Sequence, residues 1–386
     1  DPGGIAMLSK RLAAHAELLR GCALALALLL GCSAALWGCR KTPTDPSRGV
    51  DALLSADRAE NAPGVAVIVV RNGVVLKKAG YGMADLARGV PIETDTSFRL
   101  ASVSKQFTAM AVMMLAEQGK LRYDDPVVRL LPELSRFGSA LTIRHLLTHT
   151  GGLPDYYDVM VEVTGVERPR TRHALDAYAA WGEPLFAPGE RYEYSNPGYE
   201  LLALIVERAS GERFAEFVEG RIFAPLGMKS SVVMDDRSPS LAKRAIGYHQ
   251  NGSGFELDDD DPLNYIVGSG GVYSTVEDLV RWDQALYGEQ LVRAETLAEA
   301  FRPVGLNSGE HYPYGFGWRL EDHLGRRRVA HGGSWVGFRT FIARYLDDHL
   351  SVIVLSNLAE TESEALGDEI AALYLAADRE TPDAAN

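Results

Sequence analysis

The stretch SFRLASVSKQFTAMAVMMLAEQGK, residues 97–120, decides the fold of this chain. Apolar side chains recur there at helical spacing, in a stripe that runs from Val103 to Met114, and they predict a buried helix. The first turn nevertheless contains hydroxyl residues and Lys105, a cation that a buried helix has no structural reason to carry. The position of this lysine is the first indication of a chemical site.

Ser102 and Lys105 form an S-x-x-K pair at the start of this helix. Residues three apart lie on one face of a helix and within reach of each other. A lysine that is partly desolvated beside the positive end of a helix has its charged form disfavoured, so it can act as a base. Ser102 is then a nucleophile. Alone, the pair is a weak signal, because a serine cap followed by a surface lysine is common in helices by chance.

A second candidate is the tripeptide Tyr194-Ser195-Asn196, which precedes the helical sequence PGYELLALIVERASG. Asn196 is expected to cap this helix, with Pro197 at its first position. Tyr194 lies two residues before the cap, where its hydroxyl can project into a cleft as a proton carrier or hydrogen-bond donor. The alternative is that Asn196 does no more than cap.

The third candidate is the sequence HGGS, from His331 to Ser334, inside a predicted strand. Two adjacent glycines weaken a strand unless something approaches its backbone closely. A substrate is one such partner. A β-bulge or a crowded sheet is the structural alternative.

Both ends of the chain contribute strands to one predicted sheet. Near the start, GVAVIVV and VVLKKAGYG flank Asn72-Gly73, a dipeptide that favours the positive φ angles of a type I′ hairpin turn. Near the end, RRRVAHGGSW, GFRTFIARYL and LSVIVLSNL predict three more strands. The expected fold class is α/β with two lobes: an antiparallel five-stranded sheet flanked by terminal helices, and an inserted, mostly helical lobe. We expect the α/β lobe over about 50–119 and 265–380, and the helical lobe over about 120–264.

In this order and separation, the three motifs resemble those of the serine hydrolase family that contains class C β-lactamases, D-alanyl-D-alanine carboxypeptidases and related family VIII-type esterases. The S-x-x-K element occurs in related penicillin-recognising enzymes, and Y-S-N and H-G-G stand at the places of its partner motifs. The resemblance covers about residues 50–375 and includes LLTHTGGLP and GSGGVYST. It implies a β-lactamase-like or penicillin-binding-protein-like fold with the active site between the two lobes.

The resemblance also implies a role for each motif residue. Ser102 would attack a carbonyl and become acylated, while Lys105 and Tyr194 move its proton to the leaving group. Asn196 would bind the substrate's amide or the lysine.

The strand motif is implied to bind the substrate, through His331, Gly333 and Ser334. The backbone N–H groups of Ser102 and Ser334 would form the oxyanion hole, which stabilises the charge that develops on the carbonyl oxygen.

Two departures from the β-lactamase pattern guide the expected function. His331 stands where class C β-lactamases have lysine, and Arg99 and Ala101 stand where they commonly carry an acidic residue and a glycine. The expected function is therefore that of an exported serine hydrolase, foremost a carboxylesterase with weak β-lactamase activity, acting on a small ester, amide or β-lactam. The alternatives are a D-alanyl-D-alanine carboxypeptidase or D-amino-acid peptidase, and a penicillin-binding sensor that acylates without turnover.

Residues 1–41 have the pattern of an export leader, in which basic residues precede 19 uncharged ones at 21–39. Its LLGC sequence, ending at Cys32, resembles a lipobox and predicts lipidation of that cysteine. An uncleaved membrane anchor is the alternative, since 19 residues just reach spanning length. A tether over 42–49 and a hydrolase domain over 50–380 would follow. We thus expect an exported, periplasmic protein tethered to the membrane.

Composition narrows the partners. The net charge is −13, and the leader is itself basic, so the acidic domain repels phosphate backbones and nucleic acid is not an expected partner. All three cysteines lie in the leader, which leaves no thiol chemistry for the domain. His145 and His149 have the spacing of a zinc pair, but neither an adjacent glutamate nor a third ligand is evident. We expect no metal and no cofactor.

Overall fold

The Asn72-Gly73 hairpin begins the largest sheet in a computed structural model of the chain, which describes residues 45–55, 61–155, 159, 165–238 and 240–380. The two turn residues have φ angles of 50° and 78°, as a type I′ turn requires. The predicted leader, including Cys32, lies outside the described residues. Within the described ranges, no helix is both long and apolar enough to cross a bilayer.

The sheet has six antiparallel strands, where the sequence predicted five. In spatial order they are β12 (Arg319–His323), β13 (Arg326–Trp335), β14 (Phe338–Tyr345), β15 (Leu350–Ser356), β1 (Val65–Arg71) and β2 (Val74–Tyr81). The missed strand is β12. It joins β13 through Leu324-Gly325, whose φ angles are 57° and 71°. Leucine seldom adopts positive φ, so this turn has no residue signal of the Asn-Gly kind.

Short strands complete the β structure: β3 (Met83–Asp85), β4 (Val90–Pro91), β5 (Phe98–Arg99), β6 (Val232–Val233), β7 (Tyr248–Asn251), β8 (Gly254–Leu257), β9 (Val272–Ser274), β10 (Val304–Gly305) and β11 (His311–Tyr312). The α-helices are α1 (Pro46–Ser55), α2 (Lys105–Glu117), α3 (Ile143–Leu147), α4 (Thr171–Trp181), α5 (Asn196–Ser210), α6 (Phe214–Val218), α7 (Ala224–Leu226), α8 (Val276–Ala285), α9 (Ala294–Glu299) and α10 (Ser363–Glu380).

The first helix corrects the predicted tether. Helix α1 begins at Pro46, inside the segment 42–49 that the sequence suggested was irregular. The side chain of Asp45 accepts a hydrogen bond from the Ser47 N–H at 2.9 Å and so caps the helix. Aspartate followed by proline is therefore a helix start here, since proline suits the first helical position.

The central strands β1, β14 and β15 of the main sheet are buried on both faces. Alternate residues of β1 pack into two separate clusters: Ile68 lies among core residues of the helical region, while Val67 packs with the terminal helices α1 and α10. The predicted placement of terminal helices against the sheet is thus confirmed. The larger cluster joins Leu201 from the predicted helical lobe with Ile342 and Ile353 from the sheet, so the two lobes share one core.

Candidate active site

Ser102 and Lys105 lie where the chain passes from β5 into helix α2. Ala101–Ser104 form one 3₁₀ turn, and the α-helix proper starts at Lys105, slightly later than the sequence suggested. Ala101 has a φ of 48°, an uncommon backbone conformation for alanine that tertiary contacts must hold. This turn places Lys105 Nζ 3.2 Å from Ser102 Oγ, which confirms the predicted contact.

Lys105 is fully buried among polar acceptors. Its Nζ donates to Asn196 Oδ1 at 2.7 Å and to the Ser269 carbonyl at 3.1 Å, in addition to Ser102. Desolvation lowers the pKa of Lys105 to about 7, against the opposing attraction of the Glu200 and Asp155 carboxylates. At neutral pH a large fraction of the amine is therefore unprotonated and able to accept the serine proton.

Glu200 is a site residue that sequence reasoning missed. Its carboxylate is fully buried and accepts hydrogen bonds from the Gly268 and Ser269 N–H groups at 2.9 and 2.7 Å. Burial raises the pKa of this carboxyl, while those hydrogen bonds oppose the shift. Because the Ser269 N–H donates to Glu200 and the Ser269 carbonyl accepts from Lys105, this one residue links the two buried ionisable groups. Glu200 lies four residues after Asn196 in an apolar helix, and this spacing could have indicated that both residues face the site.

The Tyr194-Ser195-Asn196 loop departs from the prediction in one detail. Ser195, and not Asn196, is the N-cap of α5, and its hydroxyl accepts from the Gly198 N–H at 3.4 Å. Asn196 is the first helical residue, and its side chain is free to hold Lys105.

Tyr194 lies next to both Ser102 and Lys105. The residue is 39% exposed, and its ring centroid lies 4.8 Å from Lys105 Nζ. Desolvation raises the pKa of its hydroxyl above the usual value of 10, although a hydrogen bond with Ser102 opposes the shift. The phenol is therefore protonated at neutral pH and can donate to a leaving group.

His331 lies in the predicted strand, β13, but is not free to contact a substrate through its ring nitrogens. Nε2 lies 3.0 Å from the Tyr314 hydroxyl and Nδ1 lies 2.7 Å from the Gly332 carbonyl. Desolvation, aided by the nearby Lys105 charge, lowers the pKa of His331 to about 3. The imidazole is neutral and both nitrogens have partners, which corrects its predicted role as a direct substrate ligand.

The two glycines of HGGS differ in their surroundings. A Cβ at Gly333 would lie 2.3 Å from both the Leu100 carbonyl and Thr340 Oγ1. A crowded sheet thus accounts for the glycine at 333, because the protein's own atoms occupy the space where its Cβ would lie. A Cβ at Gly332 would meet nothing closer than 3.8 Å.

Ser334 is exposed at the end of the HGGS sequence, as expected of an oxyanion-hole residue. It lines a small cavity of about 30 Å³ together with Ser102 and Asn196. That volume admits one small oxygen-bearing group, such as a water or a carbonyl oxygen.

A larger cleft of about 530 Å³ also opens onto Ser102. Two of its charged residues neutralise each other, since Arg319 Nη2 donates to Glu364 Oε1 at 2.6 Å. Arg339 donates only to backbone carbonyls and has no carboxylate within 4 Å among the described residues. Desolvation lowers the pKa of Arg339, and Glu362, an exposed cleft residue, is one of the acids that oppose the shift.

The two histidines of the zinc alternative serve separate purposes. His145 Nδ1 accepts from the Thr142 N–H at 3.2 Å, which closes the N-terminal turn of α3. The His149 ring bonds the Ser195 N–H through Nδ1 and the Tyr314 hydroxyl through Nε2. Both ring nitrogens of His149 are engaged by protein groups.

A base with a pKa of about 7 in contact with Ser102, within this fold, defines the class of a serine hydrolase. The particular family follows from a sequence match that extends over most of the chain. Residues 50–377 match the model of the Beta-lactamase family, and the chain belongs to that family.

Two curated relatives illustrate the range of the family. The chain is 37% identical over 324 residues to penicillin-binding protein 4* of Bacillus subtilis (strain 168), an alignment that covers 77% of this chain and 69% of that protein. It is 29% identical over 309 residues to a D-aminopeptidase of Gluconobacter oxydans (strain 621H), covering 76% of this chain and 56% of that protein. The chain thus spans little more than half the length of this second relative.

Solved structures share the fold. The octameric penicillin-binding protein homologue from Pyrococcus abyssi superposes with a TM-score of 0.75 at 26% identity, over 87% of this chain and 79% of that one. A D-amino acid amidase from Ochrobactrum anthropi SV3 gives a TM-score of 0.72 at 24% identity, over 87% and 99% of the two chains.

Proposed function

We propose that the protein hydrolyses small carboxylic esters through an acyl-enzyme on Ser102. One observation carries the acyl-enzyme step: the Lys105 amine, with a pKa of about 7, lies 3.2 Å from Ser102 Oγ. The neutral amine has a lone pair that accepts the serine proton as Oγ attacks the carbonyl carbon. A covalent ester forms between Ser102 and the acyl group, and the leaving group departs.

The remaining groups manage the proton and the developing charge. The proton taken by Lys105 passes to the leaving group through the Tyr194 phenol, which is protonated at neutral pH. Ser102 and Ser334 both line the small cavity, where their backbone N–H groups would donate to the carbonyl oxygen. In the second half-reaction a water takes the place of the leaving group, and the same residues return the proton.

Esters are the first candidate substrates because the wall of the cleft at His331 is uncharged. The pKa of about 3 means that this imidazole offers no positive charge to a carboxylate at neutral pH. An ester also has a better leaving group than an amide, so acylation makes a smaller demand on the acid. Weak hydrolysis of β-lactams would accompany this activity.

A D-amino-acid amide or peptide is the second candidate. It is favoured by the relatives of the chain, which include D-aminopeptidases. Glu362 and Arg339, at the edge of the cleft, are suited to an ammonium and a carboxylate respectively. Tyr194 would then protonate the amine that leaves.

A three-substrate panel separates these candidates: p-nitrophenyl butyrate, a D-alanyl-D-alanine peptide and a chromogenic cephalosporin. We expect the highest kcat/KM with the ester, and a preference for the peptide would overturn that choice. Ser102→Ala is the control for each substrate. A burst of one equivalent followed by no turnover with every substrate would instead indicate the penicillin-binding sensor.

We also propose that the protein is exported and anchored by lipid on Cys32. The support is the sequence of the leader, whose apolar run contains the lipobox-like LLGC. An acyl-chain anchor holds a protein at a membrane without spanning it. Mass analysis of the N-terminal peptide from the membrane fraction tests this. A mature protein that begins near Pro43 without lipid would contradict it.

A further inference from the structure

A chain of four hydrogen bonds runs through the wall of the cleft, from the loop that carries Tyr194 to the strand that carries Ser334. It runs from the Ser195 N–H to His149 Nδ1 at 3.0 Å, and from His149 Nε2 to the Tyr314 hydroxyl at 3.0 Å. It continues from that hydroxyl to His331 Nε2 at 3.0 Å and from His331 Nδ1 to the Gly332 carbonyl at 2.7 Å. Nothing in the acyl-transfer mechanism above requires this chain.

The direction of every bond in the chain is determined by its two ends. The Ser195 N–H can only donate, so His149 Nδ1 is an acceptor and the proton of this ring is on Nε2. The Gly332 carbonyl can only accept, so the His331 proton is on Nδ1 and Nε2 is an acceptor. The single Tyr314 proton must therefore point to His331, while its oxygen accepts from His149.

A proton added to either ring would break the chain. A protonated His149 would present an N–H to the Ser195 N–H, and a protonated His331 would present one to a hydroxyl that already points its proton there. All three rings are buried, so these groups have no water with which to replace a lost bond. The arrangement admits one tautomer of each histidine.

His149 also holds the Tyr194 loop by its backbone. Its carbonyl accepts from the Glu193 N–H at 2.9 Å, so this residue grips the chain on both sides of Tyr194. The His149 and Tyr194 rings pack with centroids 4.3 Å apart. His149 has a φ of 57°, an unusual value that the surrounding contacts maintain.

We propose that Tyr314 is a positioning residue for catalysis, which fixes the Tyr194 loop through His149 and the Ser334 strand through His331, each histidine in a single tautomer. Tyr314 touches neither the reacting oxygen nor the lysine in this role. It sets the distance between the proton donor on one wall of the cleft and the oxyanion donor on the other. The proposal goes beyond the proposed ester hydrolysis, since any acyl substrate of Ser102 needs both walls.

Tyr314→Phe tests the proposal, because it removes one donor and one acceptor and keeps the ring. With p-nitrophenyl butyrate we expect kcat to fall about 10- to 100-fold, as for the loss of two buried hydrogen bonds, with KM within about threefold. His149→Asn is the second variant. Asparagine tolerates positive φ and can still accept from the Ser195 N–H, but it cannot make the hydrogen bond to the Tyr314 hydroxyl. The double variant should be no slower than the slower single variant, because both changes break one chain.

Tyr345→Phe is the matched control. Tyr345 is also fully buried and its hydroxyl lies 2.6 Å from His323 Nδ1, but it lies outside the cleft lining. This variant should keep kcat within about twofold. Wild-type kcat in Tyr314→Phe, additive losses in the double variant, or an equal loss in Tyr345→Phe would each overturn the proposal.

A measurement without substrate separates this proposal from the proposed function. In the ¹⁵N spectrum of the ring nitrogens, the wild type should show His149 protonated on Nε2 and His331 protonated on Nδ1. Tyr314→Phe should change the His331 signals towards a mixture of tautomers. Mixed tautomers in the wild type would contradict the chain, even if every ester assay succeeds. The predicted tautomers with no hydrolysis of any substrate would contradict only the proposed function.

Discussion

Lys105 makes the activity depend on pH in a defined direction. Below its pKa of about 7 the amine is protonated and cannot take the serine proton. We therefore expect kcat/KM for a neutral ester to rise with pH up to about 7 and to level off above it. A stopped assay in buffers from pH 5 to 9 measures this. An acid limb centred near pH 5 would assign the base to another group.

Ser102→Ala should abolish acylation, and Lys105→Ala should lower kcat by several orders of magnitude, because nucleophile and base act as a unit. Intact mass after reaction with a slow substrate should show one adduct on Ser102 in the wild type. An adduct on any other residue would contradict the assignment.

Tyr194→Phe should lower kcat by about 10²-fold or more, as expected for loss of a proton donor. The effect should be larger for an amide than for an ester, because the amine leaves only when protonated. Nearly full activity in this variant would mean that Tyr194 only packs beside the helix cap.

Arg339→Gln addresses substrate charge. Arg339 has no carboxylate partner among the described residues, so a substrate carboxylate can take that place. We expect kcat/KM for a cephalosporin to fall about tenfold while that for p-nitrophenyl butyrate stays near the wild-type value, as for a charge-assisted hydrogen bond. Equal changes for both substrates would show that Arg339 does not recognise the carboxylate.

The residues that the sequence revealed are those whose function depends on near neighbours in the chain. Ser102 and Lys105 are three apart, and Tyr194 stands just before a recognisable helix start. Tyr314 and His149 are 165 positions apart and meet only in the folded protein. No spacing rule in a single sequence relates such a pair, so the hydrogen-bond chain needed the structure.

Among the elements, α5 brings two site residues together on one face. Asn196 holds Lys105, and Glu200, one turn later, is its buried counter-charge. Glu200→Gln removes the carboxylate that raises the pKa of Lys105, so that pKa should fall. We expect the acid limb of kcat/KM to move to lower pH, as recorded by the same pH series. A shift to higher pH would mean that Glu200 does not act on Lys105 by charge.

The elements that the sequence predicted well are those marked by a recognisable turn sequence or by a clear alternation of apolar and polar residues. Asn72-Gly73 defined the first hairpin, and the alternation in β13 to β15 was clear. Strand β12 was missed because Leu324-Gly325 has no conventional turn pattern. The cap of α5 was placed one residue late, because Ser195 and Asn196 are both good capping residues and only tertiary contact with Lys105 distinguishes them.

For the whole molecule, a buried ion pair ties a helix to the sheet. Asp283 of α8 accepts from Arg344 of β14 at 2.6 Å and from Ser351 of β15 at 2.6 Å, and both charged side chains are almost fully buried. Asp283→Asn leaves the guanidinium without its counter-charge. We expect the free energy of unfolding to fall by about 3–5 kcal/mol in urea titrations.

The exposed pair Asp124–Arg144 is the control for that measurement. Its carboxylate is 73% exposed, so Asp124→Asn should cost less than about 1 kcal/mol. Because one hydrophobic cluster includes residues from both lobes, each variant should still unfold in a single transition. Two separated transitions would mean that the lobes fold independently.

The two glycines of β13 differ in the space beside them, and this difference decides which of them can be substituted. Any side chain at Gly333 collides with the backbone that precedes Ser102. A substitution there would therefore displace the segment that positions the nucleophile, and activity would be lost. At Gly332 a new side chain would extend towards Glu364 and the cleft without displacing the fold. A saturation library over the pair should therefore be intolerant at one position and permissive at the next. Laboratory evolution would find new substrate preferences at 332, with the reaction machinery left intact.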